Sequence, residues 1–296
     1  MQIVRGKLDR PWRVTIYGCE GLGKSTLASN TPAPIFIGAE DGTSQLDVAR
    51  LEEPRLWEDV LKCVEELHSD HEFKTVVLDT LDWAEPLVHD WVCRNVPGEK
   101  GKKCSNIEDY GYGKGYIHAG SVWHGFLKRL DVLRSKKGMN VMLVAHSHVK
   151  NFKNPEGDDY DRFEMKLRQA SAGLIKEWSD AVLFANYETL TLEQDGRKKG
   201  IADGSRVVYT ERRASWDAKN RYGMPPKLPL DWSEIEASMK RDHSADAAVT
   251  VAAIMAAAEV LPEDLRRKVA DGMKRAGGDP TKLAQLLNWI GTKGQK

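Results

Sequence analysis

The chain has 296 residues, 41% of them hydrophobic and 30% charged, which suits one large α/β domain with a small appendage. Its 44 basic and 44 acidic side chains cancel, so bulk charge marks no nucleic-acid surface and any such surface must come from local clustering. Four cysteines (Cys19, Cys63, Cys93, Cys104) form no C-x-x-C pair, and the first residues are too charged for a signal peptide, which excludes a disulfide framework and points to reduced thiols and a cytoplasmic setting.

Arg13, Val14, Thr15, Ile16 and Tyr17 form a β-branched run that predicts a strand. It leads into Gly18-Cys19-Glu20-Gly21-Leu22-Gly23-Lys24-Ser25, a complete G-x-x-x-x-G-K-S phosphate-binding loop, and Ser25, Thr26, Leu27 and Ala28 then open a helix. A strand that turns through Gly18, Gly21 and Gly23 into a helix aims successive N–H groups and the positive helix end at one point. The expected ligands are ATP and Mg²⁺: Lys24 reaches the β- and γ-phosphates, Ser25 holds the metal, and Thr26 completes the nucleotide-binding set.

After a Pro-rich break, Ile35, Phe36 and Ile37 read as a second strand ending near Glu40. A carboxylate at the carboxyl end of a strand in an open α/β sheet borders the ligand, where Glu40 could orient and deprotonate the attacking water. An ordinary turn acid is the plainer reading. Residues 56–68 carry apolar positions at helical spacing, and Thr75, Val76, Val77 and Leu78 form a third strand ending at Asp79. Asp79 is then placed as the Walker B carboxylate, holding Mg²⁺ beside Ser25.

Residues 81–94 read as a helix, residues 95–115 as a glycine-rich basic loop, and residues 116–137 as an amphipathic helix. A fourth apolar strand at residues 140–145 ends at His146, beside the first strand, where a polar side chain could sense the γ-phosphate; a plain loop histidine fits as well. His146-x-His148 has no second ligand pair nearby, which argues against a metal. The charged, apolar-poor stretch 150–168 reads as a mobile loop, followed by a short helix at 174–178 and strands at 181–187 and 206–210.

Strands that are almost continuous apolar runs, alternating with helices, imply a parallel sheet covered on both faces. The late segment from Arg212 to Arg221 is basic, and Lys219 and Arg221, two apart on an extended stretch, point to one side. Such cations could stabilise the charge of phosphoryl transfer as an arginine finger does, or belong to a solvated hairpin or a nucleic-acid contact. Residues 1–232 form the expected core and 233–296 a helical region, with helix starts near Ser244, Pro262 and Asp279-Pro280. Its uncharged apolar stretch, residues 247–258, is too short to span a bilayer, so no membrane is expected.

The strand ends together resemble the RecA/RadA-like recombinase core. Phe36-Ile37-Gly38-Ala39-Glu40 is similar to that family's Phe-Ile-Asp-Ala-Glu, which implies a catalytic role for Glu40. Asp79-Thr80 matches its Walker B Asp-Ser, and His146 falls where RecA carries a glutamine that couples the γ-phosphate to a DNA-binding loop. Lys219-Asn220-Arg221 looks like the family's Lys-Asn-Lys, whose cations reach the neighbouring subunit's nucleotide. The phrases Glu177-Trp178-Ser179-Asp180-Ala181-Val182 and Ala218-Lys219-Asn220-Arg221-Tyr222-Gly223-Met224-Pro225 resemble the reduced, phage-encoded RecA-core ATPases of the Sak type, over roughly residues 12–232.

That resemblance implies an α/β P-loop fold and a homo-oligomeric ATPase that binds single-stranded DNA. It also implies annealing or recombination alongside a single-strand-binding protein. A helicase-like motor or loader, or a slow nucleotide-dependent scaffold, are the alternatives. Two segments could offer the DNA surface: residues 100–114 with Tyr110, Tyr112 and Tyr116 close by, and residues 150–168, since cations beside aromatic platforms are what single strands require.

Overall fold

The apolar runs become neighbouring strands. A computed structural model describes residues 10–38, 44–194, 197–240, 251, 253–256, 258, 262–277 and 280–293. Its strands are β1 (Arg13–Gly18), β2 (Pro34–Ile37), β3 (Ala49–Arg50), β4 (Thr75–Asp79), β5 (Asn140–Phe152), β6 (Tyr160–Met165), β7 (Ala181–Gln194), β8 (Arg197–Tyr209), β9 (Lys219–Asn220) and β10 (Lys227–Pro229). They join in one sheet of order β10-β8-β7-β1-β5-β4-β2-β3, with β6 paired to β5 and β9 to β7. From β7 to β3 every pairing is parallel, whereas β6, β8, β9 and β10 are antiparallel. The class is α/β with a mostly parallel sheet flanked by helices, as the alternation predicts.

Both faces of the parallel part are covered, which is why its strands are apolar throughout. On one face lie α1 (Lys24–Ser29) and α6 (Trp232–Lys240), where Leu27, Ala28, Trp232 and Ile235 pack on Val14, Ile16, Met142 and Leu183. The other face carries α2 (Trp57–Glu66), α3 (Leu81–Asn95), α4 (Lys114–Lys136) and α5 (Gln169–Trp178), packed on Tyr17, Ile37, Leu78, Leu143 and Phe184. Helix α6 straddles the expected boundary at Trp232, and the Trp12 and Trp232 rings meet at 4.8 Å.

Helices Glu263–Ala276 and Pro280–Lys293 make a separate cluster with Ile254, centred on Val269, Leu283 and Ile290. Gly272 lets them approach, since a Cβ there would stand 2.8 Å from a methyl of Leu286. The expected start near Ser244 and the cap Asp279 lie outside the described residues.

Two expectations need correction. Residues 150–168 are not a mobile loop: β5 runs on to Phe152 and pairs with β6 from Ser147↔Met165 to Phe152↔Tyr160, a hairpin that continues past the end of β1. Antiparallel partners satisfy each other's backbone without being buried on two faces, so the hairpin needs no continuous apolar run. Residues 95–115 are likewise not an open basic loop. They hold two short 3₁₀ turns, Glu99–Gly101 and Ile107–Tyr110, with Cys104 and Tyr110 buried.

Candidate phosphate-binding site

The phosphate loop sits at the carboxyl edge of the sheet. Gly18 ends β1 between His146 of β5 and Ala185 of β7. A Cβ on Gly18 would stand 2.3 Å from the Ala185 carbonyl oxygen, so the turn begins where only glycine fits. Gly21 and Gly23 have φ of +71° and +99°, the left-handed region that glycine enters without strain, and Gly23 caps α1. Lys24 is buried, its Nζ donating to the carbonyls of Gly18 (3.2 Å) and Cys19 (2.8 Å). Ser25 and Thr26 follow in the first turn of α1.

Asp79 ends β4, fully buried, in register with Val144 of β5. The Asp79–Thr80 peptide is cis, and Thr80 caps α3 by accepting a hydrogen bond from the Trp83 N–H at 3.3 Å. Gly38 crosses directly over this point with φ +153°, and a Cβ there would stand 2.0 Å from the Asp79 carbonyl oxygen. The chain leaving β2 is therefore pressed on the Asp79 backbone. Glu40 itself lies outside the described residues.

This donor set fits a nucleotide with its metal: a glycine turn feeding a helix start, a buried lysine, a helix-start hydroxyl and a strand-end carboxylate. The lysine and loop amides would hold phosphate oxygens, and Ser25 and Asp79 would hold Mg²⁺, which neutralises phosphate charge when bound.

His146 is placed at the same edge, but pinned. Its backbone N–H donates to Asp82 Oδ1 and its Nδ1 lies on Asp82 Oδ2, both at 2.8 Å. Burial works against the Asp82 carboxylate, yet the hydrogen bonds and charge of His146 outweigh it and hold its pKa below the ordinary value. Asp82 lies three residues beyond Asp79, so the histidine is tied to the turn that follows β4 and, through β5, to the hairpin.

Lys219 and Arg221 are not brought to this edge within the chain. Lys219 pairs with Val182 of β7, three residues before Ala185, roughly 10 Å along the strand from Gly18's partner. Its Nζ donates to the carbonyls of Lys176 and Glu177, each at 2.8 Å, at the end of α5. Burial, then the neighbouring Arg221 charge, lower its pKa. Arg221 pairs with Asp180 at 3.2 Å, a carboxylate already shared by Arg13 (2.8 Å) and Arg134 (3.3 Å).

Two cations at the phosphate loop have no sequence signal. Arg206 of β8 donates to the Leu22 carbonyl at 3.2 Å, and Lys166, after β6, pairs with Glu20 at 3.5 Å. Of the aromatic residues expected to contact DNA, Tyr110 is corrected: it is buried and its hydroxyl donates to the Val92 and Val96 carbonyls. Tyr112 is fully exposed, and the Arg168 guanidinium lies 4.3 Å over the Tyr116 ring. All four cysteines are free thiols, and no described helix is long and apolar enough to cross a membrane.

A glycine turn feeding a helix beside a buried strand-end aspartate defines a P-loop nucleotide-binding protein. The chain belongs to the AAA domain family AAA_24, whose pattern matches residues 10–222, from before β1 to just beyond the Lys219-Asn220-Arg221 phrase. No curated protein matches the chain. Among solved structures, the crystal structure of the RadB recombinase is similar at 15% identity and a TM-score of 0.39, over 70% of this chain and 84% of that one. A likeness that loose carries no inference about chemistry.

Proposed function

We propose that the protein is an ATPase that binds single-stranded DNA and promotes annealing or recombination as an oligomer, with ATP and Mg²⁺ held between subunits. The observation that carries this reading is the split of the charged groups between the two ends of one sheet. Lys24, Ser25 and Asp79 occupy the carboxyl edge, while Lys219 and Arg221 lie at the amino edge, out of reach of their own phosphate loop. A neighbouring protomer can supply the cations that one chain alone keeps apart. Glu40 acts as the base for water, and Lys219 and Arg221 stabilise the γ-phosphate of the next subunit.

DNA engages the hairpin β5–β6 and the segment around Tyr112. Lys150 and Lys153 are exposed on the hairpin, and His146 lies on the same strand, so a strand on the hairpin is mechanically joined to Asp82 and the nucleotide. A single-strand-binding protein is the natural supplier of that DNA.

The test is hydrolysis measured against protein concentration, with and without single-stranded DNA. Specific activity should rise with concentration and with DNA, and Glu40→Gln should abolish turnover while nucleotide binding persists. Lys24→Ala and Arg221→Ala proteins, each inactive alone, should recover activity when mixed, because one intact loop then meets one intact cation. Turnover that is first-order in protein, indifferent to DNA and not restored by mixing rules the reading out.

A further inference from the structure

Behind the phosphate loop, on the face of β1 opposite α1, the hairpin β5–β6, helix α5 and the segment after β8 enclose a cavity of about 250 Å³. That is somewhat below the roughly 300–1,000 Å³ usual for drug-sized ligands and suits a small one. Its charged wall is Arg162, Lys176 and Arg212, gathered around Asp217: Lys176 Nζ lies 2.6 Å from Oδ2, and Arg162 and Arg212 lie 3.3 and 3.8 Å from Oδ1. Glu164 is the second carboxylate of the lining, so three cations face two anions and one positive charge is left over.

Arg162 is the decisive group. Its side chain is only 4% exposed, and its Nε is buried without a hydrogen-bond partner, although Nη2 is satisfied by Trp216 and Asp217. A buried guanidinium not fully matched by its partners is costly, and an anion in the cavity neutralises the positive charge left over on its wall. Phe152, under the Arg162 guanidinium at 5.2 Å, adds an aromatic surface, and Glu164 offers an acceptor for the amino group of a base.

We propose that this cavity is a second ligand site, distinct from the phosphate loop, that takes one nucleotide unit: a phosphate against Arg162, Lys176 and Arg212 with its base toward Phe152 and Glu164. The site is wired to the first through Tyr17, whose hydroxyl donates to the Asp217 carbonyl at 2.6 Å and accepts from the Asp217 N–H at 3.0 Å. Tyr17 immediately precedes Gly18, so a ligand that shifts Asp217 pulls on the residue where the phosphate loop begins.

Two sources carry this chemistry, a free mononucleotide and a unit of a DNA strand. The full-length Lys24→Ala protein, its phosphate loop disabled, is titrated with AMP and with inorganic phosphate by calorimetry. AMP should bind at one site and more tightly than phosphate. Arg212→Ala and Lys176→Gln, both at partly exposed side chains that folding tolerates, should each weaken AMP about tenfold when added to that background. Absence of AMP binding, or an affinity unmoved by both substitutions, overturns the proposal. Displacement of AMP by a short single-stranded oligonucleotide assigns the unit to a strand; failure to displace assigns it to the free nucleotide, and either result upholds the cavity as the site. Because the phosphate loop is disabled throughout, the outcome is independent of whether the protein hydrolyses ATP between subunits.

Discussion

The two ends of the central sheet treat positive charge in opposite ways. At the amino edge, Arg13, Arg134 and Arg221 converge on Asp180, and Arg13 also reaches Asp131 at 3.1 Å. At the carboxyl edge, Lys24 is held on the carbonyls of its own loop, groups that compete weakly with a phosphate. One end spends Arg13 and Arg134 on holding the fold together; at the other, the loop carbonyls that hold Lys24 are ones an incoming anion can displace.

The contrast breaks most visibly at Asp180. Asp180→Asn leaves the half-buried Arg13 and Arg134 without their carboxylate and should lower unfolding stability by about 2 kcal/mol, read from urea titrations at pH 7. Burial alone would raise this carboxyl's pKa, but the hydrogen bond and charge of Arg13, with Arg134 and Arg221, hold it below the ordinary value. A depressed folded-state pKa contributes stability above the unfolded value of about 3.9, lost as pH falls through the folded one. The gap between wild type and Asp180→Asn should therefore close in strong acid.

At the other edge, Lys24→Ala should weaken ATP binding about a hundredfold with little loss of fold stability, as measured with a fluorescent ATP analogue and thermal melts. Gly38→Ala comes next, with a cost of roughly 1–3 kcal/mol in the same melts, since its Cβ would collide with the Asp79 carbonyl. The smallest effect belongs to Arg206→Ala. Its guanidinium holds the Leu22 carbonyl and so fixes the orientation of that loop peptide, and its loss should raise the ATP dissociation constant about threefold.

How much was legible in the sequence follows the same division. The phosphate loop, Asp79 and the parallel strands could be read because each needs a fixed local pattern: glycines at a turn, a lysine at a helix start, apolar runs buried on two faces. The hairpin β5–β6 could not, because its strands are polar and paired to each other. Its apolar residues are scattered, Val149 and Phe152 on one strand and Tyr160, Phe163 and Met165 on the other, and Arg162 among them is buried. The Asp82–His146 pair joins residues 64 apart, and the Arg206–Leu22 bond joins residues 184 apart. Such contacts follow from strand order, which no local spacing encodes. Tyr110 was misread for the opposite reason, since its lysine-rich setting hid a side chain that plugs the end of α3.

The position of β1 has a consequence for how the protein is made. Its hydrogen-bonding neighbours are β5, which begins at Asn140, and β7, which begins at Ala181, while its Tyr17 hydroxyl waits for Asp217. A nascent chain emerging from the ribosome thus displays its nucleotide-gripping segment well before the strands that seat it. Until β5 has been synthesised that strand has both edges bare, and its second edge stays open until β7 follows, so a newly made chain carries an unpaired apolar strand before it reaches the native arrangement.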